Sequence, residues 1–173
     1  MDSRKENRSC ILDIETTSYQ PWSGKIICIG IKDTETGKIT VFHDDCEEMI
    51  ILRFLNHFNN EGFDEILGFN VFHDIRYIFG KCLRYHIPAS SFFSSKHTDI
   101  MMTLKGVRNK NNFNRPGRLD EWSQFLLGEN NKIIYKSVKD LYFQGQIEKI
   151  IEHNRNDLER TYQLWRRIRK VLY

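Results

Sequence analysis

Apolar residues along this chain fall into two periods. Cys10-Ile-Leu-Asp-Ile-Glu15 is a short apolar run bounded by Thr, Ser and Pro, the pattern of a buried strand. Lys25-Ile-Ile-Cys-Ile-Gly-Ile31, rich in β-branched residues, predicts a second strand. Asp33-Thr-Glu-Thr-Gly37 supplies a turn, and Lys38 to His43 a third strand. From Cys46 to Phe58 the spacing changes to three and four (Met49, Ile50, Leu52, Phe54, Leu55, Phe58), which is helical. A short fourth strand, Glu65 to Phe69, is followed by helical spacing from Val71 to Tyr85, ending before Pro88. His97 to Leu104 reads as a short fifth strand running into a helix. Leu119 to Leu127 (Leu119, Trp122, Phe125, Leu126) and Val138 to Phe143 are helical and stop at Gly128 and Gly145. Ile147 to Val171 is a long helix whose apolar face runs from Ile150 and Ile151 through Leu158, Thr161, Leu164, Trp165 and Ile168 to Val171. A three-strand meander followed by alternating helices and short strands predicts an α/β domain. Its mixed sheet would have the first strand central, helices on both faces and an antiparallel edge.

Length and composition narrow the class. At 173 residues, with a charged start over residues 1–8 and no linker or repeat, one domain over residues 9–173 is expected. The chain is 40% apolar and 13% aromatic, which excludes a disordered protein. The net charge of +3 permits a polyanionic partner without requiring one. The four cysteines form no Cys-x-x-Cys pair and read as small buried hydrophobes in a reducing compartment. No apolar run approaches the ~20 residues that span a bilayer, and the N-terminus lacks a signal-peptide core, so a cytoplasmic protein without membrane contact is expected.

The candidate chemistry lies in acidic residues. Asp13 and Glu15, at i and i+2 on a strand, project to one face. Two like charges side by side are costly in a core unless a cation joins them, and hard oxygen ligands select Mg²⁺ or Mn²⁺. A solvated strand end is the alternative. Asp74 opens a helix just after the fourth strand, where ligands gather in α/β sheets, although capping alone would also place it there. His153 and Asp157, four apart, share a face of the last helix near the edge of the apolar stripe. An exposed pair on a wet face is the alternative.

Taken together, these segments resemble the DEDD superfamily of 3′–5′ exonucleases, over about residues 9 to 172. Ile11-Leu-Asp-Ile-Glu-Thr16 is similar to the first motif of that family, Gly68-Phe-Asn-Val-Phe-His-Asp74 to the second, and Glu152 to Trp165 to the third. The nearest likeness is to the tyrosine-type branch and to relatives of the proofreading domains of family B DNA polymerases. In that branch a tyrosine stands four positions before the last aspartate, where this chain has His153.

The resemblance implies a ribonuclease H-like fold with a mixed five-stranded sheet. It implies hydrolysis at the 3′ end of single-stranded DNA or RNA, with DNA favoured, by a two-metal mechanism. Asp13, Glu15, Asp74 and Asp157 would hold two Mg²⁺ or Mn²⁺ ions. His153 would orient or deprotonate the attacking water, its reference pKa of ~6.5 suiting a base better than the ~10 of a phenol. Thr16 and Asn70 would contact the terminal nucleotide. A replication or repair protein partner is left open.

Lys105 to Arg118 carries five basic residues and Phe113, and reads either as a phosphate-holding, base-stacking loop or as a solvated one. Arg166 to Lys170 reads as a wet helix face. The competing function is a catalytically weak or inactive nucleic-acid-binding or scaffolding domain that keeps the fold. An endonuclease on the same fold is a third.

Overall fold

The computed structural model describes residues 8–105, 117–128 and 137–172. Five strands form one sheet in the order β3-β2-β1-β4-β5. They are β1 (Ser9–Thr16), β2 (Ile26–Asp33), β3 (Ile39–His43), β4 (Glu65–Gly68) and β5 (Lys96–Asp99). β1 pairs antiparallel with β2, and β2 with β3. β4 lies parallel to β1, and β5 to β4. The sheet is therefore mixed, five-stranded and centred on β1, as the hydrophobic pattern predicts.

Alternation along β1 divides the core in two. Cys10, Leu12 and Ile14 pack against α1 (Glu47–Glu61), α2 (Val71–Tyr85) and α3 (Ser90–Ser94). Ile11 faces the other way, into a cluster with α4 (Ile100–Lys105), α5 (Leu119–Leu127) and α7 (Ile147–Leu172). α6 (Val138–Phe143) adds Leu141 to a smaller cluster with Ile27, Cys28 and Ile150. With a side-chain period of two, Asp13 and Glu15 continue the face that begins with Ile11, so they point toward α7.

Several element bounds differ from the sequence-based expectation. α1 continues through Asn59 and Asn60 to Glu61, a polar turn with no apolar period to reveal it, and stops where Gly62 takes φ 67°. α3 was not anticipated, since five residues are too few to show a helical period. Val171, expected on the apolar face of α7, is exposed. The helix has 26 residues and at 1.5 Å rise spans ~39 Å, against ~27 Å for the eight residues of β2, so its last turns outrun the sheet. The basic loop from Lys105 to Arg118, with Phe113, lies for the most part outside the described residues. Among the described residues no helix is long and apolar enough to cross a membrane.

Candidate active site

Three elements deliver acidic side chains to the C-terminal end of β1. The strand supplies Asp13 and Glu15, the first turn of α2 supplies Asp74, and the middle of α7 supplies His153 and Asp157. Glu15 and Asp74 are buried, and Asp13, His153 and Asp157 are half-buried. His153 donates through Nδ1 to Glu15 Oε1 at 2.7 Å, and the same nitrogen lies 3.6 Å from Asp157 Oδ2. One donor atom each from Glu15, His153 and Asp157 falls within 4.8 Å of the others, a spacing that could hold a metal ion.

The electrostatics have one sign. Burial pushes the Asp13 carboxyl well above the usual range, and the charges of Glu15, Asp157 and Asp74 push it further. Asp74 is raised by burial and then by Glu15 and Asp99. Asp157 is pushed up to about 6 by burial, against the attraction of His153. Burial alone would lower the pKa of His153, but its hydrogen bond to Glu15 and the charges of Glu15 and Asp157 outweigh that and raise it. The carboxylates thus favour the protonated form of His153 more than its reference pKa alone would, and Arg160 adds a further positive charge beside Asp157.

The two residues expected to contact a nucleotide are placed differently. Thr16 spends its hydroxyl on the Ser18 carbonyl at 2.9 Å. Asn70 caps α2 in the left-handed region, φ 62°, and its backbone N–H donates to Asp99 Oδ1 at 3.0 Å. Asn70 also lines an open cleft of about 330 Å³ with Tyr19, Trp22, His73 and Arg76. The Tyr19 ring stacks on His73 at 4.3 Å, and Trp22 is 77% exposed.

The loop that carries these aromatics is fastened from below. Buried Lys81 donates to the Gly24 carbonyl and lies 3.0 Å from Glu47, which also accepts the Ile26 N–H and the Tyr85 hydroxyl. A Cβ on Gly24 would stand 2.2 Å from the Tyr77 hydroxyl, so the loop can sit this low on α2 only with glycine there.

Sequence reasoning missed several of these residues. Asp99, at the end of β5, accepts from the N–H groups of Asn70 and Met101 and so ties the start of α2 to the sheet. Its position just before a helix was the available signal. Arg160 lies 3.1 Å from Asp120 and 3.8 Å from Asp157. Asn154, inside the third motif, reaches Asp13. Tyr19 and Trp22 carry no periodicity and gave no signal.

A mixed sheet ordered 3-2-1-4-5, with acids gathered at the end of its central strand, defines a ribonuclease H-like class. Residues 10–169 match the RNase H superfamily, and the chain belongs to that family. An uncharacterised protein of Methanocaldococcus jannaschii is 25% identical over 166 residues, which cover 90% of this chain and 92% of that protein. The family B DNA polymerase of the hyperthermophilic archaeon Pyrobaculum calidifontis superposes with a TM-score of 0.69 at 14% identity, over 89% of this chain. The match spans 23% of the polymerase's length, and the likeness is one of fold.

The donor set fits divalent cations. It consists of hard carboxylate oxygens with one imidazole, and the raised pKa values of Asp13, Asp74 and Asp157 mark buried negative charge that the protein's own cations leave uncompensated.

Proposed function

We propose that this chain is a metal-dependent 3′–5′ exonuclease acting on single-stranded nucleic acid, with DNA favoured over RNA. The observation that carries the reading is the gathering of Asp13, Glu15, Asp74 and Asp157, from three elements distant in sequence, into one under-neutralised cluster. Superfamily membership supports a nuclease, and the polymerase likeness favours DNA.

In this reading the four carboxylates hold two Mg²⁺ or Mn²⁺ ions. Bound there, the ions would polarise the attacking water and offset charge on the departing 3′ oxygen. Glu15 fixes the orientation of the His153 ring through Nδ1. Neutralising Glu15 and Asp157 would weaken the pull that raises the imidazole pKa, and a neutral ring accepts a proton. Thr16 and Asn70 flank the terminal nucleotide. The Tyr19–Trp22 loop offers flat apolar surface to unpaired bases, and Arg76 offers charge to a phosphate.

The test is digestion of 5′-labelled single-stranded DNA and RNA with Mg²⁺, Mn²⁺ or EDTA, beside Asp13→Ala. Stepwise shortening that requires metal and Asp13 is expected, with a circular single strand left intact. Cutting of the circle would make the enzyme an endonuclease. Binding without cleavage would favour the inactive-domain reading, for which His153 at the tyrosine position is the supporting observation.

A further inference from the structure

We propose that Asn154 is a positioning residue that holds the Asp13 carboxylate in place for metal binding, with Gly30 as the space that admits it. The inference rests on the reading of Asp13 as a metal ligand.

Asn154 is fully buried on the face of α7 turned toward the sheet. Its Nδ2 donates twice to one residue, to the Asp13 carbonyl at 3.1 Å and to Asp13 Oδ2 at 2.8 Å. Two acceptors facing one amide determine which end points at Asp13, since the reversed amide would set oxygen against oxygen. The other end is the anomaly. Asn154 Oδ1 is buried and has no hydrogen-bond partner among the described residues. An orphaned buried acceptor lowers stability. A leucine here would fill similar space beside Leu158 and remove the orphaned oxygen, at the cost of both hydrogen bonds to Asp13. The core carries an amide at this point, and what the amide accomplishes is the double bond to Asp13.

The seat is built from the opposite side as well. Gly30 on β2 is the residue paired with Asp13 across the sheet. A Cβ at Gly30 would lie 1.9 Å from Asn154 Oδ1 and 2.7 Å from a methyl of Leu158. Any larger residue there would push the amide off Asp13. Asp13 needs such a restraint because Glu15, Asp74 and Asp157 all repel it. Without a donor, its carboxylate would be free to swing before a cation arrived. Partners that orient metal ligands in this way typically contribute a factor of about 10–100 in metal affinity.

The experiment titrates Mn²⁺ into the full chain, wild type and Asn154→Leu, by the electron paramagnetic resonance of free Mn²⁺. Melting curves in EDTA run alongside. The leucine variant is expected to stay folded, the orphaned oxygen and the two hydrogen bonds to Asp13 being lost together, and to bind Mn²⁺ at least tenfold more weakly. Asn154→Ser, too short to reach Asp13 and free of steric conflict, serves as the reading if the leucine variant does not fold. A folded variant that loses less than tenfold overturns the proposal while leaving the metal site standing. A wild-type chain that binds no Mn²⁺ overturns the metal reading and this proposal with it.

Discussion

Asp157→Asn is expected to stabilise the metal-free protein while abolishing activity. The Asp157 carboxyl is pushed from its ordinary 3.8 up to about 6, by burial first, and this net value already includes the attraction of His153 and Arg160. A folded-state pKa above the unfolded one penalises the charged native form. The stability is fully present below pH ~4 and is lost as pH rises through about 6. A difference of about two units corresponds to roughly 3 kcal/mol at pH 8, and a neutral isostere would recover about that much. For a chain of this length that is roughly 6–12 °C in melting temperature.

The gain should shrink to roughly half at pH 5 and vanish toward pH 3, where the wild-type carboxyl is itself protonated. His153, whose pKa is also raised, loses its contribution in the same direction as pH rises. Asp33 and Glu159 are held low, against burial, by hydrogen bonds from the Thr36 N–H and Arg8 and from Lys32 respectively. Their contribution is lost only as pH falls below ~4. Wild-type protein in EDTA should therefore melt higher at pH 5 than at pH 8, and Mn²⁺ should restore more at pH 8. Thermal melts of both proteins at the two pH values test this. If Asp157→Asn melts below wild type at pH 8 in EDTA, the account of the cluster as uncompensated charge is wrong.

Lys81→Met strands Glu47 in the core with two hydrogen-bond donors and no cation, and should cost about 3–5 kcal/mol, measured by denaturant titration. Less than about 1 kcal/mol would mean that the pair does not hold the loop. Trp22→Ala should leave the melting temperature unchanged, because the ring is 77% exposed, and weaken binding of a single-stranded oligonucleotide by about 1–3 kcal/mol. Undiminished affinity in a fluorescence titration would remove the loop from the binding surface. His153→Ala should lower kcat by roughly 10²–10⁴ and flatten the pH–rate profile, and an unchanged rate and profile would end its assignment as the base.

Much of the architecture was legible along the chain, because period and chemistry agreed locally. The apolar runs at Cys10–Glu15 and Lys25–Ile31, short and rich in β-branched residues, matched strands buried on both faces, and the three–four spacing after Cys46 and after Ile147 matched helices with one apolar side. The same alternation that buries Ile11 sends Asp13 and Glu15 to the face of β1 that α7 covers. The family followed from acidic residues at set places in those elements, and the superfamily match agrees with it.

Other features had no local signature. Whether Asp74 and His153 come near Glu15 depends on how two helices dock on the end of one strand. The pKa of His153 depends on Glu15 and Asp120, both remote in sequence, as well as on Asp157 one turn along its own helix. The exposed Tyr19 and Trp22, the Lys81–Glu47 pair beneath them and the Gly30 hollow behind Asn154 are relations between elements. Periodicity reports which side of a single element avoids water, a property each segment carries alone. Distance, burial and electric field at a site belong to several segments at once, and come into being only when the core closes around them.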